Sequence, residues 1–192
     1  SFNNSYKFNP QVFDLWCRLL RELPESCLWL SQPGGSAHER LREEAGARGV
    51  DPARIVFAPR VESKAEHVSR LQLADLALDP FPYNSHSSGI DVLWAGVPMV
   101  ALLGDTFPGR VGASLLRAAG LEELIAASPD AYYQLALALA RDPRRLSALR
   151  ARLADNKRTC PLFDMPRFVR SLEDVYFRMW ESYLRGVRTP LI

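Results

Sequence analysis

The sequence predicts an α/β fold in which a parallel sheet carries helices on both faces. Short apolar runs alternate with longer stretches whose apolar side chains recur at helical spacing, and turn residues separate the two kinds of segment. A chain that alternates strand and helix forms a parallel sheet, because each helix returns the chain to the same end of the sheet. The predicted strands occupy residues 26–30, 54–57, 76–78 and 97–103, and residues 121–126 return to the sheet.

The first part of the chain is predicted to follow this alternation. Residues 2–7 are expected to end a strand and enter a polar loop. A helix then begins at Pro10, after Asn9, because proline suits the first helical position. This helix buries a broad apolar face and ends at Pro24, and a charged helix follows over residues 37–48.

The segment between the third and fourth predicted strands is the main candidate for a functional site. It contains a polar loop and a short helix over residues 89–95, with Ser88 as its N-cap, at the edge where parallel strands end. Unpartnered first-turn amides, the positive end of the helix dipole and the Ser87 and Ser88 hydroxyls together suit a phosphate group. His86 can add a donor or a positive charge, and Gly89 can let a ligand approach the backbone. The alternative is an ordinary capped helix with an exposed His86.

A second candidate is the helix predicted over residues 64–73, which Ser63 caps. Lys64, His67 and Arg70 recur at three-residue intervals on it and therefore form one basic strip. The helix dipole disfavours positive side chains near a helix start, and a bound anion would offset that cost. The alternative is a solvated cationic surface, as most such strips are.

The rest of the chain is predicted to be mainly helical after residue 127. We divide the chain into a ligand-binding core, residues 1–127, and C-terminal helices, residues 128–192, that complete the domain. The last helix, predicted over residues 165–184, carries an apolar stripe that is expected to pack on a core or a neighbouring domain rather than to hold a cofactor. The stripe comprises Phe168, Leu172, Val175, Tyr176, Met179, Trp180 and Tyr183.

Composition narrows the possible functions. A net charge of +2 over 192 residues gives no reason to expect a nucleic-acid or membrane partner, and no apolar run is long enough to span a bilayer. Three cysteines without CxxC spacing and three histidines argue against a disulfide framework or a metal cage, and favour a reducing compartment such as the cytoplasm. Lysine occurs only at Lys7, Lys64 and Lys157. Residues 1–7 include neither an initiator methionine nor an apolar leader, so we expect a segment of a longer protein.

Several motifs, taken in order, resemble the O-GlcNAc transferases. They are residues 2–7 (FNNSYK), Lys64-x-x-His67-x-x-Arg70, residues 72–75 (QLAD), residues 86–100 (HSSGIDVLWAGVPMV), and Pro161-Leu162-Phe163 with the aromatic residues of the last helix. The resemblance covers essentially the whole chain. It implies the C-terminal, nucleotide-sugar-binding half of a two-domain GT-B glycosyltransferase, with a Rossmann-like sheet that ends in a helical segment. Serine at positions 87 and 88, where animal enzymes carry threonine, and an arginine-rich composition indicate a bacterial relative.

The resemblance implies a metal-independent, inverting transfer of N-acetylglucosamine from UDP-GlcNAc to Ser or Thr hydroxyls of proteins, without a cofactor. Lys7 would neutralise the diphosphate leaving group and is the one residue assigned to catalysis. The donor-binding assignments are Asn4, Lys7, His86, Ser87 and Ser88 for the phosphates, Lys64 and Asp91 for the ribose, and His67 and Arg70 with the backbone of Val61 and Glu62 for the uracil. Asn4 stands where the family usually has glutamine.

The same resemblance implies which partners the chain needs. In the family, a second Rossmann-like domain and tetratricopeptide (TPR) repeats carry the acceptor-side base and the groove for protein substrates. We therefore expect the chain alone to bind UDP or UDP-GlcNAc weakly and to catalyse nothing. The alternatives are a related transferase that uses UDP-glucose or an asparagine acceptor, and a non-catalytic UDP-sugar-binding module.

Overall fold

The structure is a computed structural model that describes residues 1–186, and its strands form two parallel sheets. β1 (Leu28–Ser31) pairs with β2 (Ile55–Ala58), with Leu28 opposite Ile55. β3 (Ala77–Leu78) pairs with β4 (Met99–Leu102), which pairs on its other side with β5 (Ile125–Ala126). All residues of β4 are buried, as expected for a central parallel strand. The predicted α/β fold is therefore confirmed, but the strands of residues 1–186 fall into two groups rather than one continuous sheet.

The described part of the chain contains eight α-helices. They are α1 (Pro10–Glu22), α2 (Ala37–Ala47), α3 (Lys64–Leu71), α4 (Ser87–Trp94), α5 (Phe107–Ala119), α6 (Pro129–Ala140), α7 (Pro143–Asn156) and α8 (Met165–Leu184). Short 3₁₀ helices lie at Ser5–Lys7, Pro52–Arg54 and Glu122–Leu124.

Sequence-encoded caps explain where several helices begin. The side chains of Asn9, Thr106, Ser128, Asp142 and Asp164 each accept a hydrogen bond from a backbone N–H in the first turn of the helix that follows, and proline occupies one of the first two positions of each helix. An N-cap acceptor satisfies an amide without an intrahelical partner, and proline has no amide to satisfy.

The core joins the beginning of the chain to its C-terminal helices. Trp16 of α1 and Tyr132 of α6 are fully buried, and the indole Nε1 donates to the Tyr132 hydroxyl at 3.1 Å. Leu139 of α6 and Leu153 of α7 are also fully buried in the same cluster. The helices α6 and α7 therefore contribute directly to the core that positions the strands.

Two local predictions are wrong. Residues 2–7 do not end a strand with regular pairing, because Ser5–Lys7 forms a 3₁₀ turn. The helix α4 begins at Ser87 rather than at residue 89, so Ser88 is not its N-cap. The helix α8 has the predicted bounds. None of its residues is buried, so of the two predicted packing partners for its apolar stripe, a core or a neighbouring domain, the core of residues 1–186 is excluded. No helix in the described part of the chain is both long and apolar enough to cross a membrane.

Candidate functional site

Two loops meet around a cavity of about 340 Å³. One loop is the N-terminal segment that precedes α1, and the other connects β3 to α4. The cavity is lined by Phe2, Asn3, Asn4, Tyr6, Lys7, Tyr83, His86, Ser87 and Ser88. Five of the residues assigned from the sequence, Asn4, Lys7, His86, Ser87 and Ser88, therefore share one cavity although about 80 positions separate them in the chain.

Lys7 is held in place by contacts to the second loop. Its Nζ donates to the backbone oxygen of Asn84 at 2.7 Å and lies 4.2 Å from the centre of the Tyr83 ring. Partial burial lowers the pKa of Lys7, and the Asp79 carboxyl opposes that shift. An ammonium has three N–H donors, so Lys7 can keep the Asn84 contact and still donate into the cavity.

His86 occupies the junction between the second loop and α4. Its ring stacks on Tyr83 with centroids 5.2 Å apart, and Phe107 approaches it edge-on at 6.2 Å. The His86 Nε2 is buried without a hydrogen-bond partner among the described residues. Burial, and secondarily the positive charge of Lys7, lower the pKa of His86 below its ordinary value of 6.5, so the ring is neutral at pH 7. A neutral imidazole retains one N–H that can be donated to an anion.

The start of α4 faces the same cavity without a side-chain cap. Ser87 is exposed, and no side chain accepts from the first-turn amides of α4. The Ser88 hydroxyl donates instead to Asn3 Oδ1 at 3.0 Å. The expectation that Gly89 leaves room for a ligand is wrong, because a Cβ there would lie 2.8 Å from Leu115 Cδ1 and 3.0 Å from Ser85 Cβ. Glycine at this position serves helix packing.

A network of buried polar side chains connects the two loops that line the cavity. Asn3 Nδ2 donates to the Ser85 hydroxyl at 2.8 Å. The Ser85 amide and hydroxyl both donate to Asp79 Oδ1. Asn3, Ser85 and Asp79 are all buried, and Asp79 Oδ2 has no partner among the described residues. With the bond from Ser88 to Asn3, the network connects the end of β3 to the N-terminal segment and to the first turn of α4.

Burial raises the pKa of Asp79 to about 7, although its hydrogen bonds with Ser85 and the charge of Lys7 act in the opposite direction. The folded protein therefore holds a proton that the unfolded chain loses near pH 4. The contribution of this carboxyl to stability is full below pH 4 and is lost as the pH rises towards 7. A shift of three pKa units corresponds to about 4 kcal/mol.

We expect Asp79→Asn to flatten this dependence, because asparagine does not titrate. The free energy of unfolding of the variant minus that of the parent should be larger at pH 7.5 than at pH 4.5. Urea denaturation at both pH values measures this difference. Asp75→Asn, which removes an exposed carboxyl nearby in sequence, is the control and should show no such gain. An equal difference between parent and Asp79→Asn at both pH values would show that Asp79 does not titrate in this range.

The basic strip of α3 is tied to α4. Lys64 Nζ donates to Asp91 Oδ1 at 2.5 Å, and His67 Nε2 lies 3.6 Å from Asp91 Oδ2. Arg70 Nη2 donates to His67 Nδ1 at 3.0 Å, so the proton of a neutral His67 ring is on Nε2, facing Asp91. Burial lowers the pKa of His67, with further lowering by Arg70 and opposition from Asp91. Lys64, His67 and Arg70 thus lie together on α3, as the three-residue spacing predicted, and Asp91 of α4 joins them in one basic cluster.

Phe2 connects this cluster to the cavity. It lines the cavity, and its ring lies 6.0 Å from the His67 ring and 5.1 Å from the Arg70 guanidinium. Ser88 and Asp91 stand three residues apart on α4 and therefore on one helix face. The cavity and the basic cluster are neighbouring parts of one region.

The residues Val61 and Glu62 lie in the loop between β2 and α3. Val61 is half-buried and Glu62 is exposed. Arg70 donates to the backbone oxygen of Pro59 in the same loop, which fixes the loop beside the basic cluster. The structure therefore places all eleven predicted site residues on the N-terminal segment, this loop, α3, or the segment from His86 to Asp91.

Sequence reasoning did not identify the side chains that support the site. Tyr83 supplies the ring on which Lys7 and His86 lie, and Asn3, Ser85 and Asp79 form the buried network. Neither Asp79 nor Tyr83 was assigned a role from the sequence. The signal for Asp79 is that a carboxylate follows directly after an apolar strand, where a polar side chain can support a site at the sheet edge.

Comparison with known proteins identifies the family of the chain. The model of glycosyl transferase family 41 matches residues 1–172. A probable UDP-N-acetylglucosamine–peptide N-acetylglucosaminyltransferase (SEC) of Arabidopsis thaliana is 41% identical over 96% of this chain and 19% of its own length. The corresponding enzyme of Caenorhabditis elegans is 37% identical over 97% of this chain and 16% of its own length. The chain thus spans about a fifth or less of the curated relatives.

A solved structure gives the same result for the fold. A mutant of the O-GlcNAc transferase of Thermobaculum terrenum superposes with a TM-score of 0.90 at 34% identity, and the match covers 96% of this chain and 36% of that chain. The expected family and the Rossmann-like fold of a GT-B glycosyltransferase are both confirmed. Because the family model matches most of the sequence, the chain belongs to glycosyl transferase family 41.

Proposed function

We propose that this chain is the UDP-GlcNAc-binding half of an inverting glycosyltransferase that transfers N-acetylglucosamine to Ser or Thr hydroxyls of proteins. The observation that carries the proposal is the convergence of Lys7, His86 and the uncapped start of α4 on one cavity. Three kinds of donor, a desolvated ammonium, a neutral imidazole and first-turn amides, suit a diphosphate. The names of the relatives support the choice of donor sugar and acceptor.

The proposed roles follow from position. Asn4, Lys7, His86 and Ser87 would contact the diphosphate from two sides of the cavity, and Ser88, whose hydroxyl proton is used by Asn3, would contribute its backbone amide. Lys64 and Asp91 would bind the ribose. The uracil would lie against His67 and Arg70, with backbone contacts from Val61 and Glu62.

The chemistry we propose is stabilisation of the leaving group. As the bond between sugar and phosphate breaks, negative charge grows on the UDP oxygen, and donors already fixed there stabilise the transition state more than the ground state. Lys7 suits this role because its contacts to Asn84 and Tyr83 hold the ammonium before the donor arrives. We propose that transfer needs no metal ion, since these donors meet the charge of the diphosphate.

The partners of the chain are also part of the proposal. Acceptor proteins would be bound, and the acceptor hydroxyl activated, by the N-terminal catalytic half and TPR region of the full-length enzyme. The exposed apolar face of α8, including Tyr176, Trp180 and Tyr183, would be covered by that other half. We propose a cytoplasmic location, which the three free thiols at Cys17, Cys27 and Cys160 support.

The proposal predicts that Lys64→Ala weakens donor binding without slowing the chemical step. Lys64 pairs with Asp91 beside the cavity, so its loss should remove an interaction made equally in the ground and transition states. In the full-length enzyme we expect the donor KM to rise about tenfold, which corresponds to about 1.4 kcal/mol, with kcat nearly unchanged. The measurement is transfer of labelled sugar to a protein acceptor at varied UDP-GlcNAc concentration.

Lys157→Ala is the matched control, because Lys157 lies 5.2 Å from the Trp94 ring and does not line the cavity. Its kinetics should equal those of the parent. An effect of Lys64→Ala on kcat alone would contradict the binding role.

If the full-length enzyme binds UDP but transfers no sugar, it is a non-catalytic module. Faster transfer from UDP-glucose would identify the related transferase instead.

A further inference from the structure

A single peptide group lies between Lys7 and Asp79. The backbone oxygen of Asn84 accepts from Lys7 Nζ at 2.7 Å. The backbone amide of the next residue, Ser85, donates to Asp79 Oδ1 at 2.6 Å. This oxygen and this N–H belong to the same trans peptide unit and therefore point in opposite directions, so the ammonium and the carboxyl hold its two ends. We call this arrangement the 84–85 bridge.

The 84–85 bridge is buried and fixed on all sides. Asn84, Ser85 and Asp79 are each at most 3% exposed. The Asn84 side chain donates to the Pro80 backbone oxygen at 2.9 Å and accepts from the Gly112 amide at 3.2 Å. The Ser85 hydroxyl also donates to Asp79 Oδ1. The peptide group therefore cannot rotate without breaking several buried hydrogen bonds.

The charges at the two ends of the bridge reinforce each other. A hydrogen bond at the N–H of a peptide group polarises its carbonyl, and this strengthens the bond that the carbonyl accepts. Ionised Asp79 thus makes the Asn84 oxygen a better acceptor for the Lys7 ammonium. Burial lowers the pKa of Lys7, and the Asp79 charge opposes that shift, so the two groups interact although they do not touch.

We propose that Asp79 is a positioning residue of the transfer reaction and holds the Lys7 ammonium in place through the 84–85 bridge. Asp79 lies behind the residues that line the cavity and acts on the donor only through Lys7. The inference rests on the proposed function, in which Lys7 meets the charge that grows on the departing UDP oxygen. Position matters for this role, because a misplacement of about 1 Å can slow a reaction about a hundredfold.

Asp79→Asn in the full-length enzyme removes the charge and keeps the acceptor for the Ser85 amide. Burial raises the pKa of Asp79 to about 7, so the folded protein already holds a neutral side chain there at lower pH, and we expect the variant to fold. At pH 8, where the parent carboxyl is ionised, kcat should fall about tenfold, because charge-assisted hydrogen bonds are about twice as strong as neutral ones. The donor KM should change far less. Asp75→Asn, which removes an exposed carboxyl, is the control and should match the parent.

A double-mutant cycle separates positioning of Lys7 from general support of the fold. In a Lys7→Ala background, Asp79→Asn has no ammonium to position, so kcat should fall little further. Equal fold losses of kcat in the parent and Lys7→Ala backgrounds would overturn the inference, because Asp79 would then act independently of Lys7.

Acylation of lysines by acetic anhydride provides a measurement that needs no sugar transfer. At pH 8, Lys7 should react about threefold faster in Asp79→Asn than in the parent, because loss of the Asp79 charge lowers the pKa of Lys7 and enlarges its neutral, reactive fraction. Mass spectrometry of the labelled peptides measures this rate, and Lys157, beside Trp94, is the internal control. An unchanged rate at Lys7 would overturn the inference. If the parent enzyme transfers no sugar, the proposed function fails, but the labelling still shows whether Asp79 holds Lys7.

Discussion

Replacing Lys7 by alanine should reduce the turnover of the full-length enzyme about 10²- to 10³-fold, the usual cost of removing one donor to a developing negative charge. Lys7 is the one lysine that lines the cavity within the described chain, and its Nζ is fixed by Asn84 and by the Tyr83 ring. The loss should appear mainly in kcat, because the charge on the departing UDP oxygen is largest in the transition state. UDP affinity, measured by calorimetric titration, should fall much less than turnover.

The control for this prediction is again Lys157→Ala, which removes the same side chain from a position beside Trp94. Because Lys7→Ala also removes the bond to Asn84, thermal unfolding should be measured to show that the second loop is intact. Lys7→Arg, which keeps the positive charge, should retain more turnover than Lys7→Ala. Turnover of Lys7→Ala equal to that of the parent would exclude the leaving-group role.

The sequence predicted well those features that depend on local spacing. The strands and helices follow from apolar periodicity and from caps such as Asn9 and Ser128. The grouping of Lys64, His67 and Arg70 was predictable because residues three apart on a helix share a face, and this spacing alone places the three side chains together. Such inferences require no knowledge of how distant segments pack.

Features that depend on distant contacts were not predictable in this way. Asn3 and Ser85 are 82 positions apart, and their hydrogen bond exists only because the first segment and the β3–α4 loop meet. Local spacing predicted that the Ser88 hydroxyl caps a helix, but in the folded chain this hydroxyl donates to Asn3 Oδ1. Gly89 was assigned to ligand approach, whereas the neighbouring α5 residue Leu115 fills the space beside it. Long-range packing decided each of these outcomes.

Gly112→Ala should be the most destabilising single methyl addition that the structure suggests near the site. A Cβ at Gly112 would collide with Asp79 Oδ2 and lie 2.9 Å from the Cβ of Ala101 on β4. Both neighbours are buried, so α5 must move away from the sheet. Overpacking of this kind costs about 1–3 kcal/mol, and we expect the upper end because a carboxylate oxygen is one of the colliding atoms.

This substitution should also weaken the site. The Gly112 amide donates to Asn84 Oδ1 at 3.2 Å, and the backbone oxygen of Asn84 is the acceptor that holds Lys7. Movement of α5 would therefore shift Asn84 and the Lys7 ammonium together. We expect the midpoint of thermal unfolding to fall by several degrees and UDP affinity to fall with it, as measured by calorimetry on the same preparation.

Gly34→Ala is the matched control for the added methyl group, because nothing lies within 4 Å of a Cβ built at Gly34. Its unfolding midpoint and UDP affinity should stay close to those of the parent. If Gly112→Ala unfolds at the same temperature as Gly34→Ala, α5 is not packed against Asp79 and Ala101 as described. If Gly112→Ala is destabilised but binds UDP normally, the position of Lys7 does not depend on Asn84, because the same shift of α5 must displace both.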